Sequence, residues 1–286
     1  MAEHGPGGPD GGGRFVRLDD GDLYVVEEGQ PDAPAVLLIH GTGACTAWWD
    51  PVIPQLAGTR RVIRVDLAGH GRSASPDGGY DIPAQARRVG AVLDRLGVGR
   101  VTVIGHSTGG SVATALAEQR PAAVAALALI DTGPSPDAYL DQGVLSGLLL
   151  APFPGRLLWH LRTEALIRKA LSSAFTRPVE IPDAIVEATL GMTHRAVAGT
   201  ARGSLDYLRQ RSLPDRLATL GLPVLVIFGT ADKRWRSSSA ATYRDVPGAR
   251  VELLPGVGHT PMLEDPHTTG TLLLRFALAL KEEKRV

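Results

Sequence analysis

With 286 residues, 44% of them hydrophobic and 21% charged, the chain can bury the core of one large domain, or of a domain carrying an insertion. Its 30 basic and 30 acidic side chains cancel, so no global field draws it to nucleic acid or an anionic membrane. The single cysteine, Cys45, excludes an intrachain disulfide, fits a reducing compartment and reads as a small apolar loop residue.

Residues 1–13 are rich in Gly and Pro and have no apolar core, so they read as a disordered tail rather than a signal peptide or membrane span. No later stretch approaches the ~20 uninterrupted apolar residues that cross a bilayer. The expectation is a cytoplasmic protein, monomer or homodimer, with no membrane partner. Phe15 to Leu18 and Leu23 to Glu27 flank Asp19-Asp20-Gly21-Asp22 and predict an antiparallel hairpin. Val36-Leu37-Leu38-Ile39 is a strand buried on both faces, ending in His40-Gly41-Thr42-Gly43. A short helix over Trp48 to Leu56 follows, then the strand Val62 to Val65 and the Gly-rich loop Asp66 to Ser73. Ile82, Ala86, Val89, Val92, Leu93 and Leu96 recur at helical spacing, and Gly97 stops that helix. The strand Val101 to Ile104, a helix from Ser111 to Gln119 and the strand Val124 to Ile130 continue the alternation, which implies a parallel sheet with right-handed crossovers. From 133 to 220 the pattern is helical, over Ala138 to Leu150, Gly155 to Phe175, Pro182 to Leu190 and His194 to Arg211, without convincing strands. Strands return at Pro223 to Gly229 and Val251 to Leu254, and a helix over Thr268 to Lys281 closes the chain. The expected division is a core of 14–132 and 221–286 with a helical cap inserted at 133–220. Leu145, Leu148, Leu149, Phe153, Leu157, Leu158 and Met192 make the cap strongly apolar, and it is expected to bury one face on the core.

The chain is organised around Gly105-His106-Ser107-Thr108-Gly109, between an apolar strand and an Ala-rich helix. Gly-x-Ser-x-Gly in that setting fits a nucleophile elbow, a tight turn that lifts one serine above the sheet edge. Its serine takes a strained backbone that tolerates little bulk two residues away on either side. The helix N-terminus behind it aims free N–H groups at a developing negative charge. Such a serine needs a base, and the base an orienting acid. Sites in open parallel sheets lie beyond the carboxyl ends of the strands. Asp232 lies just past Val224 to Phe228 and His259 just past Val251 to Leu254, in the chain order Ser, Asp, His. Asp131 also ends a strand and is an alternative acid.

These pieces, together with His40-Gly41, Asp66 to Ser73 and Gly258 to Pro266, resemble the α/β-hydrolase superfamily from about Phe15 to the C-terminus, the cap region excepted. The resemblance implies an α/β fold, a mostly parallel sheet with helices on both faces and an inserted helical cap. It also implies that Ser107 is the nucleophile, His259 the general base and then acid, and Asp232 the residue that fixes the imidazole. Backbone N–H groups of Thr42 and Thr108 are implied as the oxyanion hole, and no metal or organic cofactor is implied. His40 and His106 read as structural, as do Asp66, His70 and Arg72 of the Gly-rich loop. Glu264 and Asp265, after Pro261, suit a first helical turn. Gly43, Trp48, Trp159 and Trp235 are candidates to line a substrate pocket.

Serine at the elbow, rather than aspartate, separates the chain from haloalkane dehalogenases and epoxide hydrolases. The expected activity is cofactor-free cleavage of an ester or lactone of a small, mostly apolar substrate through an acyl-enzyme. The same residues would also serve a perhydrolase or haloperoxidase, a cyclase or acyl-transfer step in natural-product tailoring, C–C bond hydrolysis, or a ligand receptor that retains its triad.

Overall fold

Runs of β-branched and leucine side chains build the sheet that positions everything else. The structure, a computed structural model, describes residues 12–279. Gly13–Val16 (β1), Leu23–Gly29 (β2), Ala35–Ile39 (β3), Arg61–Val65 (β4), Val101–His106 (β5), Val124–Ile130 (β6), Val224–Gly229 (β7) and Arg250–Leu254 (β8) form one eight-stranded sheet ordered β1-β2-β4-β3-β5-β6-β7-β8. β1 and β2 make the expected hairpin, β2 runs antiparallel to β4, and every other neighbour is parallel. Residues 1–11 of the expected tail lie outside the described residues, and Gly13 of that tail instead pairs with Val26.

Successive side chains of a strand point to opposite faces, so the central strands feed two cores. Leu37, Val103, Leu129, Val226 and Phe228 enter one; Val36, Leu38, Ile104, Ile130 and Ile227 enter the other. The helices are Ile53–Ala57 (α1), Ile82–Arg95 (α2), Thr108–Gln119 (α3), Gly143–Leu150 (α4), Pro152–Trp159 (α5), Glu164–Ser172 (α6), Asp183–Gly191 (α7), His194–Gln210 (α8), Leu213–Leu220 (α9), Pro261–Glu264 (α10) and Pro266–Ala279 (α11). α2, α3, the end of α8 and α9 cover the first core. Trp49 and Val52, with α1 and α11, cover the second. The helix expected over Trp48 to Leu56 is a 3-10 turn, Thr46–Val52, running into α1, with Pro51 inside it and Pro54 opening α1; each proline removes an N–H that a continuous α-helix needs.

Between β6 and β7 the described residues contain α4–α9 and no strand. The expected helix over Gly155 to Phe175 is two, because Thr163 caps α6 by accepting the Leu166 N–H at 3.3 Å. α9 escapes the periodicity reading although Ser212 caps it, accepting from Asp215 N at 3.3 Å, and Gly221 ends it at φ 61°. The burial expected for the apolar side chains at the start of the insertion does not occur at Leu145 and Phe153. Leu145 is 76% and Phe153 83% exposed, and no residue of α4 is buried. An eight-residue helix that is apolar all round has no polar face to give to water.

Candidate active site

The site assembles at the carboxyl ends of β5, β6, β7 and β8. Ser107, half-buried between β5 and α3, has φ 52° and ψ −122°. A Cβ on Gly105 would lie 2.3 Å from the Gly109 carbonyl oxygen, and one on Gly109 would lie 2.2 Å from that of Ile39. Both glycines are therefore fixed by close backbone approach, and any side chain there would force the turn open. The Ser107 N–H donates to Ile130 O at 2.8 Å, and the Thr132 hydroxyl donates to Ser107 O at 3.0 Å, tying the turn to β6 and its loop.

Loops 152 and 125 residues further along return to this turn. His259 Nδ1–H donates to Asp232 Oδ2 at 2.9 Å, which leaves Nε2 to accept the Ser107 hydroxyl at 3.1 Å. Asp232 Oδ1 accepts the backbone N–H groups of Arg234 at 2.6 Å and Trp235 at 3.2 Å. Burial works against a charge on Asp232, but the neighbouring His259 ring and these N–H donors outweigh it and hold the carboxyl below its ordinary range. The structure thus brings Ser107, His259 and Asp232 into one hydrogen-bonded line.

Asp131 joins them from the end of β6. Its side chain is fully buried, Oδ1 accepts from Gly229 N at 2.9 Å, and burial followed by the charge of Asp232 pushes its carboxyl well above the usual range. Among the described residues, Asp131, Asp232 and His259 are the donors placed to share a cation, within 4.8 Å of one another. A cation among them would displace the bond from His259 to Asp232.

Thr108 opens α3, so its N–H has no partner within the helix and points from the same turn as Ser107. Thr42 reaches it from the loop after β3, the two hydroxyls lying 2.9 Å apart. Gly43 beside it has φ 76° and open space where a side chain would be. Of the candidate pocket aromatics, Trp48 stacks on His106 at 6.2 Å between ring centres and lies 6.4 Å from Phe175. Trp159 packs with Met192 and Val197, donates to Met192 O at 2.8 Å and carries the Arg162 guanidinium on its ring. Trp235 is buried in the core against Gly133, 5.1 Å from the Tyr139 ring.

The remaining polar residues hold loops. His40 Nδ1–H donates to Gly41 O at 2.7 Å and Nε2 accepts from Leu67 N at 3.0 Å; burial lowers its pKa to about 3. Asp66 accepts N–H groups of Thr46 and Arg72 at 2.6 and 2.8 Å, and burial raises it to about 6. Burial also takes the Cys45 thiol up to about 12, which leaves it unreactive. Two residues do more than their sequence suggests. His106 Nε2–H donates to the His259 carbonyl at 2.7 Å, fixing the loop that carries the imidazole. Glu264 accepts from Gly258 N at 3.0 Å and Thr260 N at 3.2 Å on either side of His259, and from Thr176 N at 2.8 Å in the helical insertion. Only a carboxylate one short turn after Gly-His-Thr-Pro hinted at that role.

A model of the Alpha/beta hydrolase family matches residues 36–269. The chain is 41% identical over 261 residues to a proposed carbamate hydrolase of Variovorax paradoxus, covering 89% of this chain and 95% of that protein. It is 27% identical over 243 residues to the pimeloyl-acyl-carrier-protein methyl ester esterase of Edwardsiella ictaluri, covering 85% and 92%. Among solved structures, a hydrolase from Pseudomonas aeruginosa superposes with a TM-score of 0.75 at 26% identity, covering 94% of this chain and 99% of that one.

Proposed function

The chain belongs to the Alpha/beta hydrolase family, and from that premise we propose that it is a serine hydrolase that cleaves an ester or lactone of a small, mostly apolar substrate with its own side chains, through an acyl-enzyme. The observation that carries this reading is the line of hydrogen bonds from Ser107 through His259 to Asp232. As the Ser107 oxygen attacks the substrate carbonyl carbon, its proton passes to His259 Nε2. The carbonyl oxygen becomes an oxyanion facing the N–H groups of Thr42 and Thr108, and each such donor is worth about 10²–10³ in rate. Collapse breaks the bond to the alcohol oxygen, which leaves with the proton from His259. Water then gives a proton to the same nitrogen and its oxygen attacks the acyl carbon, releasing acid and restoring Ser107.

The helical insertion serves as a cap in this reading. Support comes from Thr176 bound to Glu264, and from Lys233 Nζ donating to Phe175 O at 3.0 Å, which join the insertion to the loops of Asp232 and His259. Trp48, between His106 and Phe175, forms an apolar wall beside the imidazole. A carbamate is the second reading, favoured by the Variovorax relative; the same steps would pass through a carbamoyl-serine. The test is fluorophosphonate labelling with a panel of p-nitrophenyl esters, lactones and carbamates, each with and without peroxide or a competing alcohol. Wild type should label and turn over esters, and Ser107→Ala should do neither. Labelling that survives Ser107→Ala would refute the nucleophile, and product formed only with peroxide would reassign the outcome to perhydrolysis.

A further inference from the structure

Asp131 is a buried acid beside the triad that the acyl-enzyme sequence leaves unused. Its φ is 42°, and among the described residues it shares a positive φ only with Ser107 outside glycine. A backbone so strained is kept only where its surroundings over-determine it. Oδ1 is held by Gly229 N at 2.9 Å, while Oδ2, fully buried, meets no N–H or O–H donor. A carboxylate oxygen of Asp131 and one of Asp232 lie within 4.8 Å of each other. Two buried carboxyl groups this close, one of them with an oxygen that meets no donor, are reconciled when one of them carries a proton and shares it with the other.

The donors around the pair settle which one. Asp232 accepts three N–H groups, from Arg234, Trp235 and His259; Asp131 accepts one, from Gly229. The neighbouring charges that act on Asp131, those of Asp232 and Glu264, are both negative, whereas Asp232 holds the His259 ring at 2.9 Å. We propose that Asp131 is a neutral carboxylic acid whose Oδ2–H donates to Asp232, a positioning residue that helps to fix the triad carboxylate. This rests on the reading of Ser107, His259 and Asp232 as the reacting line.

Infrared spectroscopy of the wild-type protein at pH 8, where Asp66, raised to about 6, is ionised, should retain a carboxylic-acid C=O band, and Asp131→Asn should remove it. Asp131→Ala should lower kcat on the order of 10–100-fold and move the acidic limb of kcat/KM to higher pH, because a carboxylate with one donor fewer attracts the imidazolium more strongly. Asp131→Asn, whose amide supplies an N–H to Asp232 and a carbonyl to Gly229 N, should recover most of that loss and leave the limb in place. The absence of an acid band from wild type at pH 8 would overturn the proposal. So would an acidic limb that moves to lower pH in Asp131→Asn, since that identifies Asp131 as a second anion. Labelling that does not need Ser107 would instead sink the reading of the triad, while the infrared band stands or falls independently of activity.

Discussion

In the proposed reaction the imidazole takes a proton from a hydroxyl and later returns one, which requires its far nitrogen to stay fixed throughout. Here Asp232 Oδ2 does this at 2.9 Å while its other oxygen is spent on the backbone of Arg234 and Trp235. Asp232→Asn would keep the shape but present an amide that can hold the wrong tautomer, so kcat for a p-nitrophenyl ester should fall by about 10⁴ with KM far less affected. A fall of tenfold or less would move the orienting role elsewhere, with Asp131 first in line. That Ser107, Asp232 and His259 meet was legible because each sits where a strand runs out, and a strand end marks itself by composition. The residues that hold them were not. His106 meets the His259 carbonyl across 153 positions of chain and Thr176 meets Glu264 across 88, and contacts of that reach leave no local pattern behind.

At the scale of elements, the loop carrying His259 is stiffened from one short helix. Glu264 of α10 binds N–H groups of Gly258, Thr260 and Thr176, and burial, which alone would raise its carboxyl, is outweighed by these donors, so it titrates below the ordinary glutamate value of 4.5. A carboxyl whose folded pKa is depressed adds stability that is present above its unfolded pKa and lost as pH falls through the folded one. Glu264→Gln should therefore lower stability by about 1–3 kcal/mol at pH 7 and make the urea midpoint fall less steeply than wild type below about pH 4.5. A variant that tracks wild type at every pH would show that the carboxylate contributes nothing beyond its shape. The same scale shows where periodicity succeeds. The strands of the central sheet and helix α2 announce themselves because their burial is continuous or one-sided. In the insertion every helix but α8 is eight or nine residues long, α4 is apolar on all sides, and the limits of α6 and α9 are set by the caps Thr163 and Ser212.

The whole molecule resolves into a sheet with two well-filled cores and an insertion whose leading helices are lightly buried. Trp49 has no exposed surface and packs with Val52, Leu56 and Phe276 beneath the sheet, whereas Phe153, equally apolar, stands 83% exposed on α5. Apolar content does not tell the two apart, since composition does not say which surface remains free once the sheet faces are covered; the sheet of this chain is already sealed by α1, α2, α3, α9 and α11. Stability should follow burial and not residue class. Trp49→Ala should cost about 3–5 kcal/mol by removing contacts that nothing else refills, while Phe153→Ser should change it by no more than about 0.5 kcal/mol. Urea unfolding of both variants at low protein concentration makes the comparison. If Phe153→Ser were as costly as Trp49→Ala, the α5 face would have to be covered in solution, and sedimentation over a range of concentrations would then reveal whether a second copy of the chain covers it.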